Sequence, residues 1–313
     1  MTASRTSTAP RRAPALLDRQ RSLLELLDAL GGRVKKLDFQ KLLFLYCQEP
    51  GSRGAYEFVP YHFGAFSFTS YADRRKLIEH GFLTADDEQW QLTQEGRDAV
   101  AGTQDMMMAS FADRHRRLRG NALVADTYRK FPYYGIRSEI ADRILRGDND
   151  ALARIAAARP TPPNAGRLCT IGYEGLTVER YLNAIIRAGV TLLCDVRRNP
   201  ISRKYGFAKS TLANACQGVG VRYEHLPELG IASEQRRSLV TQADYNALFD
   251  EYERRYLPTQ LAAVKQLASW ISDGQRVALT CYERLPQQCH RHCVGEAVEK
   301  VLGAGMVATH LCA

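Results

Sequence analysis

168-LCTIGYEGLTVERYLNAIIRAGVTLLCDV-196 begins and ends on short apolar runs, 168-LCTIG-172 and 191-TLLCDV-196. Between them, 178-VERYLNAIIRAG-189 repeats apolar residues at helical spacing. Three further runs read as strands: 221-VRYEHL-226, 277-VALTC-281 and 307-VATHL-311. Helical patterns fill the intervals at 209–218, 243–257, 259–272 and 292–302. Alternation of this kind, with strands apolar on both faces, predicts a parallel Rossmann-like sheet covered by helices on both sides. The α/β domain is expected over residues 166–313.

Ligands of such sheets bind outside the carboxyl ends of the strands. Four polar loops fall at those ends: 172-GYEG-175, 195-DVRRNPISRKYGF-207, 225-HLPELG-230 and 281-CYERLPQQCHRH-292. They are expected to converge on one mouth.

Upstream, the texture differs. MTASRTSTAPRRAPA, residues 1–15, is basic without an apolar core and reads as a disordered tail rather than a signal peptide. Residues 16–30 and 37–49 keep a helical period, broken by Gly31-Gly32, with Asp38 as an N-cap. A third helix at 66–83 ends at Gly81; a hairpin over 82–93 and a helix capped by Thr93 follow. That order predicts a winged helix-turn-helix over 16–105. Its recognition helix, 69–80, presents Arg74, Arg75 and Lys76, against an acidic wing of Asp86, Asp87 and Glu88. The segments 40-QKLLFLY-46 and 61–83 also resemble the helical antitoxin-like Panacea domains, which implies protein binding as readily as DNA binding. A basic helical connector, 106–157, is interrupted by 131-FPYYGI-136, with Ser138 capping its last helix. The linker ARPTPPNA, 158–165, precedes the α/β domain.

With 313 residues, the chain is long enough for two domains. It has no run of 18 apolar residues, so no membrane span is expected. A net charge of +9 favours polyanionic partners, nucleic acid first, DNA in preference to RNA. Eight cysteines without an export signal fit reduced cytoplasmic thiols rather than a disulfide framework.

The ordered set 170-TIGYEG-175, 194-CDVRRNPISRKYGF-207, 223-YEHLPELG-230 and 281-CYERLPQQCHRH-292 closely resembles the domain of unknown function 488 family, over about residues 166–305. Tyr173 stands where that family usually has His, and Tyr282 where it has a small residue. The resemblance hints at nucleic-acid modification or repair.

Read as chemistry, the loops offer three kinds of site. Arg197, Arg198, Arg203, Lys204 and Arg291, with the helix N-terminus near His290, suit a phosphate. Glu174, Asp195 and Glu283 are candidate acids or bases, and Tyr173 and Tyr282 candidate stacking partners for a flipped base. Cys289, before His290 and Arg291, is a candidate nucleophile. No cofactor is expected; zinc at Cys281, Cys289, His290 and Cys293 is the alternative. These readings predict a nucleic-acid-directed base- or nucleotide-processing hydrolase, such as a DNA glycosylase-like repair enzyme. The alternatives are a DNA-binding regulator sensing a phosphorylated ligand and a thiol-dependent sulfurtransferase.

Overall fold

The computed structural model describes residues 15–52, 55–103, 105–161, 167–236, 239–303 and 307–311. The predicted tail lies outside them apart from its last residue, as do residues 162–165 of the predicted linker. The first half of the chain runs α1 (Asp18–Ala29), β1 (Arg33–Lys35), α2 (Lys36–Cys47), β2 (Val59–Tyr61), β3 (Gly64–Phe66) and α3 (Phe68–Glu79). It continues through β4 (Gln89–Gln91), α4 (Gln94–Asp98), α5 (Met106–Arg114) and α6 (Gly120–Lys130). Two compact units result: the residues up to Tyr56 with Ser70–Leu123, and Glu57–Thr69 with the chain from Val124 onward.

In the first unit, α1 buries Leu23, Leu24, Leu26 and Leu27 and stops at Gly31 and Gly32, both at positive φ. β1 pairs antiparallel with β4, Val34 opposite Trp90. The expected hairpin reduces to a single bridge between Leu83 and Leu92. Phe39 and Tyr71 pack on the buried Trp90. Thr93 caps α4 as expected, its hydroxyl accepting from the Gly96 amide at 3.0 Å. Asp38 is not the N-cap of α2. It lies buried in the first turn and accepts from the Gly120 amide at 2.8 Å.

The second unit adds α7 (Ala141–Ile144), α8 (Asn149–Ala157), β5 (Leu168–Gly172), α9 (Val178–Arg187), β6 (Leu192–Asp195), α10 (Lys209–Gly218) and β7 (Arg222–His225). Then come α11 (Gln242–Glu251), a π-helical stretch over Tyr252–Tyr256, α12 (Leu261–Ser272), β8 (Val277–Cys281), α13 (Arg291–Leu302) and β9 (Thr309–His310). Ser138 does not cap α7, whose N-cap position is Ile140; its hydroxyl meets that of Tyr128 at 2.6 Å.

The five strands form one sheet in the order β7-β6-β8-β5-β9, every pair parallel. β5, β6 and β8 are buried throughout, which is why they read as continuous apolar runs. α9 buries Val178, Tyr181, Leu182, Ile185 and Ile186, one face of a 3.6-residue period, and Thr177 caps it through the Arg180 amide at 3.1 Å.

Residues 57–69 join this unit although Ser70–Leu123, which belong to the first, separate them from the rest of it. The Asn183 amide donates to the Phe58 carbonyl at 2.8 Å. Glu179, fully buried at the start of α9, accepts from the Thr69 amide at 2.8 Å and from the Ser67 and Thr69 hydroxyls. Burial pushes its carboxyl pKa up, against the pull of those donors.

Candidate functional site

The register places Gly172 opposite Cys281, Thr280 opposite Asp195, and Asp195 opposite His225. Four strands therefore end along one rim. Amides of the loop after β5 donate to carbonyls after β8: Tyr173 to Cys281 at 3.3 Å and Glu174 to Tyr282 at 2.9 Å. A Cβ on Gly172 would lie 1.8 Å from the Glu283 carbonyl oxygen, so only glycine lets the two loops close.

A cleft of about 760 Å³ opens at this rim. Its walls include Arg203 and Lys204 after β6, Arg236 after β7, Cys281 at the end of β8, and Tyr282 and Glu283 just beyond it. Arg203 is exposed and makes no hydrogen bond or ion pair among the described residues. The Lys204 ammonium donates one bond, to the Tyr173 carbonyl at 3.3 Å. Partial desolvation lowers the Lys204 pKa against the pull of Glu174.

Glu283 is the best-placed acid. Its Oε1 accepts from Arg236 at 3.1 Å and its Oε2 from the Cys281 thiol at 3.3 Å. Burial pushes its pKa up. A hydrogen bond from the Cys289 thiol, its own amide, and the charges of Arg236 and His290 outweigh that, leaving it below the usual glutamate value. Glu283 is thus a carboxylate at neutral pH. Beside it, Tyr282 is 45% exposed.

The floor is sulfur and imidazole. Cys281 Sγ lies 3.8 Å from His290 Nδ1, and His290 Nε2 lies 2.9 Å from the Val196 carbonyl. Burial pushes the imidazole pKa down, but Cys289, the Val196 carbonyl and Glu283 raise it overall. A carbonyl oxygen only accepts, so Nε2 carries a proton and Nδ1 is the nitrogen turned towards the sulfur. Cys289 is buried and its thiol pKa is pushed well up, so it is a thiol and not a poised thiolate. Donor atoms of Cys281, Cys289 and His290 lie within 4.8 Å of one another, a spacing that would suit a metal ion. Cys293 does not join them; it groups with Glu253 and His292.

Several residues singled out in the sequence sit differently from the expected roles. Asp195 is wholly buried and forked by Arg197, whose Nε donates at 2.8 Å, while the Tyr223 hydroxyl donates at 2.7 Å. Arg197 also donates to the Tyr173 hydroxyl at 2.7 Å and the Phe207 carbonyl at 3.0 Å. This pair braces the rim and leaves Arg197 little donor capacity for a phosphate. Tyr173 is stacked on Phe207, centroids 4.3 Å apart, so one ring face is already covered. Arg291 is buried and donates to the Glu283 and Arg284 carbonyls, and neither it nor His290 lines the cleft. Arg198 faces a different cavity, beside Tyr256. Glu174 accepts from the Arg284 amide at 3.0 Å and does not line the cleft. In the first unit, Arg74 donates to the Asp86 and Gln89 carbonyls, whereas Arg75 and Lys76 are exposed.

Arg236 and Tyr245 also line the cleft and carry no motif. They arrive on the long excursion between β7 and α12, and a polar segment of that length gives no hint of its direction.

No curated protein and no solved structure matches the chain. Residues 177–298, within the C-terminal half of the chain, match the family described as Domain of unknown function DUF488.

Proposed function

We propose that the protein is a nucleic-acid-directed hydrolase that processes a base or nucleotide, in the manner of a DNA glycosylase. The carrying observation is one cleft that holds an ionised, part-buried Glu283, the exposed Tyr282 ring beside it, and the cations Arg203 and Lys204. A carboxylate so placed activates water or stabilises positive charge developing on a sugar as the base departs. The tyrosine gives a flipped base a stacking partner, and the cations suit the phosphates on either side of it. In the first unit the succession α1, β1, α2, α3, β4, with β1 paired to β4, supports a winged-helix reading. Arg75 and Lys76 on α3 would then contact a duplex. Purified protein should release base from at least one member of a panel of plain, deaminated, oxidised and alkylated oligonucleotides, and Glu283→Gln should slow that release by about 10²–10⁴-fold while binding persists. A protein that neither binds nor alters any member removes the proposal.

One observation favours a second reading, thiol chemistry. Cys281 lines the cleft, which Cys289 does not, and its sulfur lies 3.8 Å from His290 Nδ1. A sulfurtransferase would use that thiol as nucleophile with the imidazole beside it. Cys281→Ser would then abolish activity, whereas under the hydrolase reading it only weakens the hold on Glu283.

A further inference from the structure

We propose that Glu253, His292 and Cys293 form a second site, apart from the cleft, that binds one borderline divalent transition-metal ion, Zn²⁺ foremost. Their donor atoms, a carboxylate oxygen, an imidazole nitrogen and a sulfur, lie within 4.8 Å of one another. Around a tetrahedral ion with bonds of about 2.0–2.3 Å, donors stand about 3.3–3.8 Å apart. Cys293 Sγ and His292 Nε2 are already 3.4 Å apart.

The imidazole is set for ligation. His292 Nδ1 lies 2.7 Å from the Cys289 carbonyl, and an N–H there fixes the tautomer whose Nε2 lone pair faces the sulfur. The Phe249 ring packs edge-on against the imidazole at 5.1 Å and limits its rotation. Glu253 lies within the π-helical stretch Tyr252–Tyr256, a distortion frequent at functional sites.

The surroundings favour a cation. A cavity of about 450 Å³ opens here, and Asp250, Glu253, Glu296, His292 and His310 line it. None of its nine lining residues is Lys or Arg, on a chain of net charge +9. It shares no lining residue with the cleft. Thiolate with imidazole selects zinc-like ions over magnesium or calcium. Three protein donors beside an open cavity leave the fourth position to water or to an anionic guest. Binding replaces the Cys293 thiol proton with the ion, and the proton is released to solvent.

Cobalt(II) reports the sulfur directly. Metal-stripped full-length protein titrated with Co²⁺ should develop a sulfur-to-metal charge-transfer band that saturates at one equivalent and is displaced by Zn²⁺. Cys293→Ser should remove the band. His292→Ala and Glu253→Gln should weaken binding by about tenfold or more, and Cys281→Ser and Cys289→Ser should leave it unchanged. Glu253→Gln, half-buried and nearly isosteric, keeps the test valid if Cys293→Ser does not fold. Absence of the band at one equivalent overturns the proposal. So does a band that survives Cys293→Ser, or one lost in Cys281→Ser, since the ion would then sit in the other cluster.

Discussion

Glu283 is gripped from two sides, by a guanidinium on one oxygen and a thiol on the other. A carboxylate held this way keeps its charge and its direction. Glu283→Gln should lower turnover by about 10²–10⁴-fold, the usual worth of a positioned acid or base, with oligonucleotide affinity little changed. The same grip has a pH signature. Because the folded pKa lies below the ordinary 4.5, Glu283 stabilises the fold fully above that value and loses its contribution as pH falls through the folded one. Urea unfolding of wild type and Glu283→Gln should therefore differ at neutral pH and converge in acid; a constant difference contradicts the assignment. Asp195 carries a different expectation. Removing one member of a buried ion pair strands the other, so Asp195→Ala should cost about 3–5 kcal/mol in chemical denaturation. That both acids sit at strand ends was legible from 194-CDV-196 and 281-CYE-283. That one is locked away and the other faces the cleft depends on burial, which no spacing encodes. The same holds for Arg291, whose guanidinium closes a loop.

Among the elements, those with a complete period were the legible ones. β5, α9, β6 and β8 fall within a residue or two of the patterns that predicted them, because burial on one face or two imposes the periodicity. β1 and β4 were harder, being three residues each and held by pairing distant in sequence. The insertion of 57–69 into the second unit was not legible at all, since buried hydrogen bonds to Glu179 attach it without any shift in composition. The sharpest element-scale test is where β5 meets the loop after β8. Gly172→Ala would drive a methyl into the Glu283 carbonyl and should cost about 1–3 kcal/mol, an overpacking penalty, while displacing Glu283 from the cleft. Thermal unfolding and activity should fall together; a variant as stable and active as wild type would mean the two loops are not so closely apposed.

For the whole molecule, charge was the most legible property and its distribution the least. The net +9 pointed to a polyanion, yet most arginines at the rim are tied to carboxylates and carbonyls. What remains at the cleft for a guest is mainly Arg203 and Lys204. The seven cysteines among the described residues are free thiols. No helix of the described residues is long and apolar enough to cross a membrane. The proposed activity requires that the cleft at the strand ends take a phosphate backbone. The direct measurement is oligonucleotide affinity against salt concentration for wild type and the Arg203→Ala, Lys204→Ala double variant. Loss of two phosphate contacts should weaken binding and reduce the log–log salt slope by about 1.8, near 0.9 per contact on duplex DNA. Equal affinity and equal slope in the two proteins would contradict the account.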